Sequence, residues 1–226
     1  MIPTVWPCPL AQSGFADEYA LVIDRERTAR VLIVPALFDE ANRLRRFSVE
    51  LMRRLDGAGI DSMLPDLPGT NESLQSLEVQ NGSGWRTAME AAAAHFAATH
   101  VLGIRGGCLY TPSALPGWHY APAKGAILLR QMMRARILVS REAGRDETQD
   151  ALMETGLREG LELSGHRLGA ALLADLQAAE ALVESHITRI AQEAIGGSGL
   201  WLRAEPGDAP EQADTLAALI AQGIGG

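Results

Sequence analysis

Apolar runs and amphipathic stretches alternate through the first half of the chain. Four short apolar runs predict strands, and they span residues 19–24, 30–37, 60–65 and 100–104. The second of these is nearly continuous in apolar side chains, which is typical of a strand buried on both faces. Helical spacing of apolar residues predicts a helix over about 41–56, and an alanine-rich stretch predicts another over about 85–98. This alternation predicts an α/β fold with a mostly parallel sheet flanked by helices.

The second half of the chain is richer in helical patterns. Helices are predicted over residues 124–139, 146–159, 167–183 and 208–223. Strand candidates cover residues 118–122, 186–191 and 199–204. No internal repeat or low-complexity linker interrupts the chain, so we expect a single domain over residues 1–226. Within it, residues about 123–183 are expected to form a helical cap over the strand ends.

The charge balance argues against one class of partner. The 226 residues carry 20 Lys and Arg against 28 Asp and Glu, a net charge of −8, and no large basic block stands out. Sequence-independent nucleic-acid binding needs a concentrated basic surface, so we expect no nucleic-acid partner. The hydrophobic fraction of 47% and the charged fraction of 21% are ordinary for a globular protein.

Targeting signals and metal-binding patterns are not found in the sequence. No apolar run approaches the roughly 20 residues that span a bilayer, which predicts no membrane span. The start of the chain has no basic region and is interrupted by prolines, unlike a secretory signal, so we expect a cytoplasmic protein. Cys8 and Cys108 are the only cysteines, and no cysteine or histidine pair has metal-ligand spacing. The sequence therefore predicts no metal site and no cofactor.

A glycine-rich turn follows the apolar run at residues 100–104. Gly103 and Gly107 flank a single central residue, Arg105, at the spacing of the G-x-Ser-x-G nucleophile elbow of α/β-hydrolases. Small residues let the backbone turn sharply enough to present the central side chain above the sheet. Arginine stays protonated and cannot attack a carbonyl carbon. The turn therefore predicts a hydrolase-like scaffold whose nucleophile position holds another residue.

Four segments, in chain order, together resemble one known family, the exosortase A system-associated hydrolases encoded beside bacterial exopolysaccharide genes. Pro35–Arg46 is similar to the family's Pro-Pro-Phe-x-Glu-Glu-Met-Asn-x-x-Arg-Arg stretch, and Asp66–Ser73 to its Asp-Leu-x-Gly-x-Gly-Asp-Ser loop. Gly103–Gly107 matches its Gly-x-Arg-x-Gly elbow, in which arginine already replaces serine. Ala121–Arg134 resembles its Gln-Pro-x-x-x-Gly-x-x-x-Leu-x-Gln-Phe-Leu-Arg run. The resemblance covers roughly residues 20–180.

The resemblance implies an α/β-hydrolase-like fold and a role in exopolysaccharide or exosortase-related processes. The chain departs from typical α/β-hydrolases after the strand predicted at 199–204, where they continue to a last strand and a loop bearing the catalytic histidine. We therefore expect a truncated C-terminal end. Fold-level analogy alone does not establish hydrolase activity, so the sequence leaves open whether the protein is an enzyme.

The candidate ligand-binding residues cluster after the predicted strands. Arg105 could hold a ligand carboxylate or phosphate, or stabilise developing negative charge. Alternatively it pairs internally with Asp39 or Glu40 beneath the loops, because an unpaired buried charge costs several kcal/mol. Acidic side chains in the loop after the 30–37 strand would repel an oxyanion, although they could instead complement the dipole of the following helix. The candidates besides Arg105 are Asp39, Glu40, Asn42, Arg45, Arg46 and Asp66.

Other potential catalytic groups lack a supporting context. Cys108 would lie at the start of the elbow helix, where the helix dipole could lower a thiol pKa, but a buried apolar cysteine is the alternative. None of the five histidines falls in the expected catalytic loop. Asp208 could be a remnant of a catalytic acid or part of a turn.

Three functional hypotheses follow. In the first, the protein keeps the ligand cleft above the strand ends and binds, or slowly hydrolyses, an acyl or sugar-linked metabolite. In the second, it is an esterase or thioesterase with a relocated nucleophile, such as Cys108. In the third, it is a non-enzymatic scaffold whose 123–183 helices contact a partner protein. The sequence does not decide whether it forms a homodimer.

Overall fold

The computed structural model describes residues 1–10, 13–205 and 207–225. The described strands are β1 (Ile2–Pro9), β2 (Phe15–Ile23), β3 (Arg30–Val34), β4 (Asp61–Pro65), β5 (His100–Ile104), β6 (Gly117–Tyr120), β7 (Leu161–Leu163), β8 (His166–Leu168) and β9 (Ile187–Ile190). The described α-helices are α1 (Asp39–Gly57), α2 (Gly82–His95), α3 (Gly125–Glu142), α4 (Gln149–Glu159), α5 (Ala170–Ala178), α6 (Gln192–Ile195) and α7 (Pro210–Gly225). Short 3₁₀ turns lie at Leu77–Val79, Arg105–Leu109 and Leu200–Leu202.

Seven of these strands form one twisted sheet in the order β1-β2-β4-β3-β5-β6-β9. The pairs β1–β2 and β2–β4 are antiparallel, whereas β4, β3, β5, β6 and β9 run parallel. The expected mostly parallel sheet is therefore confirmed. Because the parallel strands share a direction, the residues that follow β3, β5, β6 and β9 all emerge at one edge of the sheet.

Helices cover both faces of the sheet and bury separate clusters of side chains. On one face α1 and α7 pack together, and Phe47, Leu51 and Leu216 contact the apolar side chains of the central strands. On the other face α2, α3 and α5 bury Trp85, Met133 and further apolar residues. Strand side chains alternate between the faces, so β3, β4 and β5 contribute to both clusters.

The segment predicted as a cap, residues about 123–183, forms α3, α4, α5 and the β7–β8 hairpin. Its apolar residues join the same buried cluster as α2 rather than a cluster of their own. Leu128 of α3 lies against the turn that follows β5, because a methyl group added at Gly106 would meet its Cδ1 atom at 2.8 Å. Helix α3 therefore covers part of the edge where the strands end.

Several elements differ from the sequence prediction. The prolines near the start of the chain obscured β1, but this is an edge strand, where a missing N–H need not interrupt a ladder. The helix predicted over 167–183 is wrong at both ends, because β8 occupies its start up to Leu168 and α5 spans only Ala170–Ala178. The β7–β8 hairpin turns at Ser164 and Gly165, whose φ angles of 50° and 76° are those of a two-residue hairpin loop.

The strand predicted over 199–204 is also wrong. That segment contains a 3₁₀ turn at Leu200–Leu202, and in the described residues β9 is the last strand of the sheet. The elbow likewise departs from a strand-turn-helix unit, because β5 leads into a five-residue 3₁₀ turn at Arg105–Leu109 and not into a long helix.

Candidate functional site

Three neighbouring parallel strands are each followed by a residue with an unusual backbone conformation. Phe38 follows β3 with φ of 54°, Arg105 follows β5 with φ of 53°, and Ala121 follows β6 with φ of 45°. Side-chain-bearing residues rarely adopt positive φ, because Cβ then crowds the backbone. Three of the seven described non-glycine residues with positive φ therefore lie at this edge of the sheet, and such strained residues are often found at functional sites.

Two glycines make the turn after β5 possible. A Cβ atom at Gly107 would lie 2.3 Å from the carbonyl oxygens of both Val34 and Pro35, and one at Gly106 would meet Leu37 at 2.7 Å. Neither position has room for a side chain. The turn therefore lies directly against the loop that follows β3, and this close approach places Arg105 beside the start of α1.

Arg105 forms a two-pronged ion pair with Glu40 in the first turn of α1. Its Nε donates to one carboxylate oxygen at 3.0 Å and its Nη2 to the other at 2.9 Å. Its Nη1 donates to the carbonyl oxygen of Ala121 at 2.8 Å. The ring of Trp201 lies over the guanidinium, with its centroid 4.0 Å from Cζ. Both charged side chains are almost completely buried, with 10% of Arg105 and 6% of Glu40 exposed.

This arrangement satisfies most of the bonding capacity of Arg105. Three of its N–H groups are used by protein oxygens, one face is covered by an aromatic ring, and its charge is balanced by Glu40. Internal pairing, one of the two alternatives that the sequence leaves open for Arg105, is thus present. The side chain that occupies the elbow is a cation held in place, and it offers no electron pair to a carbonyl carbon.

A cavity of about 300 Å³ opens beside the Glu40 end of this ion pair. Its volume is near the lower end of the range for small-molecule sites. Most of its walls are apolar, and polar side chains stand at several points around them. It is lined by Leu37, Phe38, Asp39, Glu40, Arg43, Leu128, Gln131, Met132, Ala135, Trp201 and Leu202.

Asp39 lies at this cavity and also approaches the β7–β8 hairpin. Its carboxylate is 3.7 Å from Nε2 of His166, whose ring packs against Phe38 with a centroid distance of 5.4 Å. The hairpin of the predicted cap segment is therefore in contact with the loop that follows β3.

The remaining candidate residues lie away from this cavity. Asp66 is fully buried and bonds to Arg45 at 3.0 Å, to the side-chain amide of Asn71 at 3.0 Å and to the backbone N–H of Glu72 at 3.3 Å. It therefore holds the loop after β4. Arg46 is exposed and pairs with Asp208, and the side chain of Asn42 is also exposed.

The hypothesis of a reactive Cys108 is not supported by its environment. The residue is only 1% exposed, and burial raises the pKa of its thiol well above the ordinary value, although the charge of Arg105 acts in the opposite direction. Its Sγ faces the carbonyl oxygen of Tyr120 at 3.8 Å. The elbow helix whose dipole could lower the thiol pKa is replaced by a short 3₁₀ turn, and the alternative of a buried apolar cysteine fits this environment.

The histidines take structural positions. His119 is fully buried in β6 with its Nε2 2.8 Å from the hydroxyl of Thr111, and burial, with the nearby charge of Arg189, lowers its pKa to about 4. His186 contacts the backbone carbonyl of Ser113 at 2.9 Å. In the described part of the chain, no histidine hydrogen bond reaches a serine hydroxyl, and no three metal-ligating side chains come together.

Two residues of the site had no useful sequence signal. Trp201 is far from Arg105 along the chain, and nothing in its local pattern indicates that its ring covers a guanidinium. Ala121 contributes only a backbone carbonyl, which no side-chain motif can report. The proline that follows it restricts Ala121 but does not identify its partner.

The fold is shared with known hydrolases, although the sequence is distant from them. No protein-family model and no curated protein sequence matches the chain. The structure of the mouse α/β hydrolase domain-containing protein 10 is similar to this one. The match covers 98% of each chain, with 12% identity and a TM-score of 0.54.

Two bacterial structures also match. One comes from Agrobacterium vitis S4 and is provisionally named a hydrolase. The match covers 78% of this chain and 71% of that protein, with 13% identity and a TM-score of 0.53. The other is Est1E from Butyrivibrio proteoclasticus, solved with ferulic acid bound. The match covers 73% of this chain and 68% of Est1E, with 15% identity and a TM-score of 0.52.

The sheet order, the helices on both faces and these matches define an α/β-hydrolase fold. Identities this low show the fold and not a shared activity. In the described ranges, no helix is both long and apolar enough to cross a membrane.

Proposed function

We propose that this chain is a small-molecule-binding protein built on an α/β-hydrolase fold and that it does not use a serine nucleophile. The observation that carries the proposal is the buried fork between Arg105 and Glu40 at the elbow. Hydrolysis at this position would need a nucleophile and a nearby base. An arginine neutralised by glutamate supplies neither.

The cavity beside Glu40 indicates the kind of ligand. Leu37, Leu128 and Met132 offer an apolar surface suited to an acyl chain or a ring, while Asp39 and Arg43 add charges of opposite sign. A negatively charged group would be repelled by Asp39 and Glu40 on one side of this cavity. We therefore propose an amphipathic ligand whose apolar part enters the cavity.

The wider context rests on the sequence resemblance. Pro35–Arg46 and Gly103–Gly107, two of the resembling segments, supply Glu40 and Arg105. We propose on this basis that the ligand is an acyl or sugar-linked metabolite of exopolysaccharide or exosortase-related processes. In this proposal Arg105, Asp39 and Glu40 contact or shape the ligand site, and Asn42, Arg45, Arg46 and Asp66 support the surrounding loops.

The first experiment tests the absence of serine-type hydrolysis. Purified protein is incubated with nitrophenyl acetate, butyrate and octanoate, and separately with a fluorophosphonate probe followed by mass spectrometry. We expect turnover no higher than that of buffer without protein and no stoichiometric labelling. Enzyme-dependent turnover with labelling of one residue would overturn the proposal and support a relocated nucleophile.

The second experiment tests binding at the cavity. The fluorescent apolar dye N-phenyl-1-naphthylamine is titrated into the wild type, Gln131→Trp and Arg134→Trp. Both substituted residues are exposed on α3, but only Gln131 lines the cavity. We expect Gln131→Trp alone to weaken dye binding, because the indole fills the space. Equal binding by all three proteins would contradict the proposed site.

A further inference from the structure

A second cavity lies on the other side of the Arg105–Glu40 pair. It has a volume of about 380 Å³ and sits where β6 and β9 end. It is lined by Arg105, Ala121, Pro122, Arg189, Ile190, Ala191, Gln192 and Glu193. Glu40 lines the first cavity but not the second, whereas Arg105 lines the second but not the first.

The ion pair therefore forms a polarised partition between the two cavities. Glu40 lines the wall of the first cavity, and Arg105, with which it pairs, lines the wall of the second one. Although the pair is neutral as a whole, an ion close to one end is affected mainly by the nearer charge. The second cavity thus has a positive side.

Arg189 adds a second positive charge to the same cavity. It lies in β9 directly opposite His119 of β6, and its side chain is exposed. In the part of the chain that the structure describes, no ion pair joins Arg189 to a carboxylate. Arg105 follows β5 and Arg189 lies in β9, the two strands that flank β6, and both residues line this cavity.

We propose that this second cavity binds a small oxyanion, either a phosphate or a carboxylate group, between Arg105 and Arg189. Arg189 is the principal determinant, because among the described residues no carboxylate forms an ion pair with its guanidinium. Arg105 contributes N–H groups that the fork leaves free, since Glu40 and Ala121 occupy three of its five donors. This site is distinct from the apolar cavity and does not depend on the ligand proposed for it.

Two further polar residues, Gln192 and Glu193, line this cavity, and only the second is expected to affect anion binding. Gln192 is already engaged, because its side chain accepts the hydroxyl hydrogen of Tyr120 and donates to the carbonyl oxygen of Gly196. Glu193 is exposed and lines the same cavity, so its negative charge opposes anion binding. Removing that charge is expected to strengthen anion binding, whereas removing the charge of Arg189 is expected to weaken it.

The test is a calorimetric titration with inorganic phosphate, and in a separate arm with acetate, at constant ionic strength. The proteins compared are the wild type, Arg189→Gln, Glu193→Gln and Arg141→Gln. Arg141 is exposed near the end of α3 and lines neither cavity, so its variant controls for loss of one positive charge. The arm with the tighter binding distinguishes a phosphate site from a carboxylate site.

We expect Arg189→Gln to weaken binding at least tenfold, Glu193→Gln to strengthen it severalfold, and Arg141→Gln to change it less than twofold. Equal losses in Arg189→Gln and Arg141→Gln, or no binding of either anion to the wild type, would overturn the proposal. Gln131→Trp is also titrated with both anions. This variant should weaken dye binding at the first cavity and leave anion binding at the second cavity unchanged. Failure of one site is thus distinguishable from failure of the other.

Discussion

Glu40 and Arg105 face each other across the ends of β3 and β5 and share two hydrogen bonds of 3.0 and 2.9 Å. The pair occupies the position where the sequence spacing indicates a hydrolase nucleophile. Both groups lose their hydration on folding, so each buried charge is stabilised mainly by its partner.

Removal of one partner of this pair should therefore be much more damaging than removal of both. We expect Glu40→Ala to lower the free energy of unfolding by about 3–5 kcal/mol, since it leaves a buried guanidinium without a counter-charge. The double variant with leucine at positions 40 and 105 should recover much of that loss. Urea denaturation followed by circular dichroism measures both.

The exposed pair between Arg46 and Asp208 provides the control. Its side chains are 62% and 52% exposed, so Arg46→Ala should change the free energy of unfolding by less than about 1 kcal/mol. If Glu40→Ala proves as mild as Arg46→Ala, the fork does not hold the turn after β5 in place.

The glycine at position 107 should be intolerant of any side chain. A Cβ atom there would stand 2.3 Å from two backbone carbonyl oxygens of the β3 end, so Gly107→Ala forces the turn away from that loop. We expect a loss of stability of at least about 1–3 kcal/mol, the usual range for overpacking. Gly57→Ala is the matched control, because nothing lies within 4 Å of its added methyl group at the end of α1. Similar thermal unfolding of the two variants would contradict the tight packing of the turn.

His119 should make stability depend on pH below neutrality. Burial lowers its pKa to about 4 in the folded state, compared with about 6.5 in an unfolded chain. Between these values the unfolded chain takes up a proton that the folded protein does not, so the free energy of unfolding falls as the pH falls from 6.5 to 4. Above pH 6.5 this group contributes no slope.

Replacement of that histidine should flatten this part of the stability profile. Urea denaturation at several pH values should show His119→Gln gaining stability relative to the wild type as the pH decreases. His95→Gln removes an exposed histidine and should retain the wild-type slope. A His119→Gln profile parallel to that of the wild type would show that this residue titrates normally in the folded protein.

The two cysteines should be unreactive in the native protein. Both are buried, and burial raises the pKa of Cys8 to about 12, with a further contribution from the charge of Glu18. The thiolate is the reactive form, so native protein should resist iodoacetamide at pH 8, whereas protein unfolded in urea should be alkylated at both Cys8 and Cys108. Rapid modification of native Cys108 would revive the hypothesis of a thiol nucleophile.

Local patterns predicted most of the central sheet. β5 coincides with the predicted strand at 100–104, β3, β4 and β9 fall within their predicted runs, and β6 begins one residue before the run predicted at 118–122. A strand buried on both faces needs a continuous apolar run, which is visible without any partner. β1 and β8 were missed because an edge strand with prolines and a three-residue strand have patterns too weak or too short to stand out.

The sequence by itself determined the alternation of strands and helices and the position of Arg105 between two glycines. These features depend on local spacing, on side-chain hydrophobicity and on the small size of glycine. Only the tertiary structure decided that Glu40, and not Asp39, pairs with Arg105, that Trp201 covers the guanidinium, and that Cys108 is buried. Those contacts join residues from different strand ends, and they form because the parallel sheet brings those ends to a common edge.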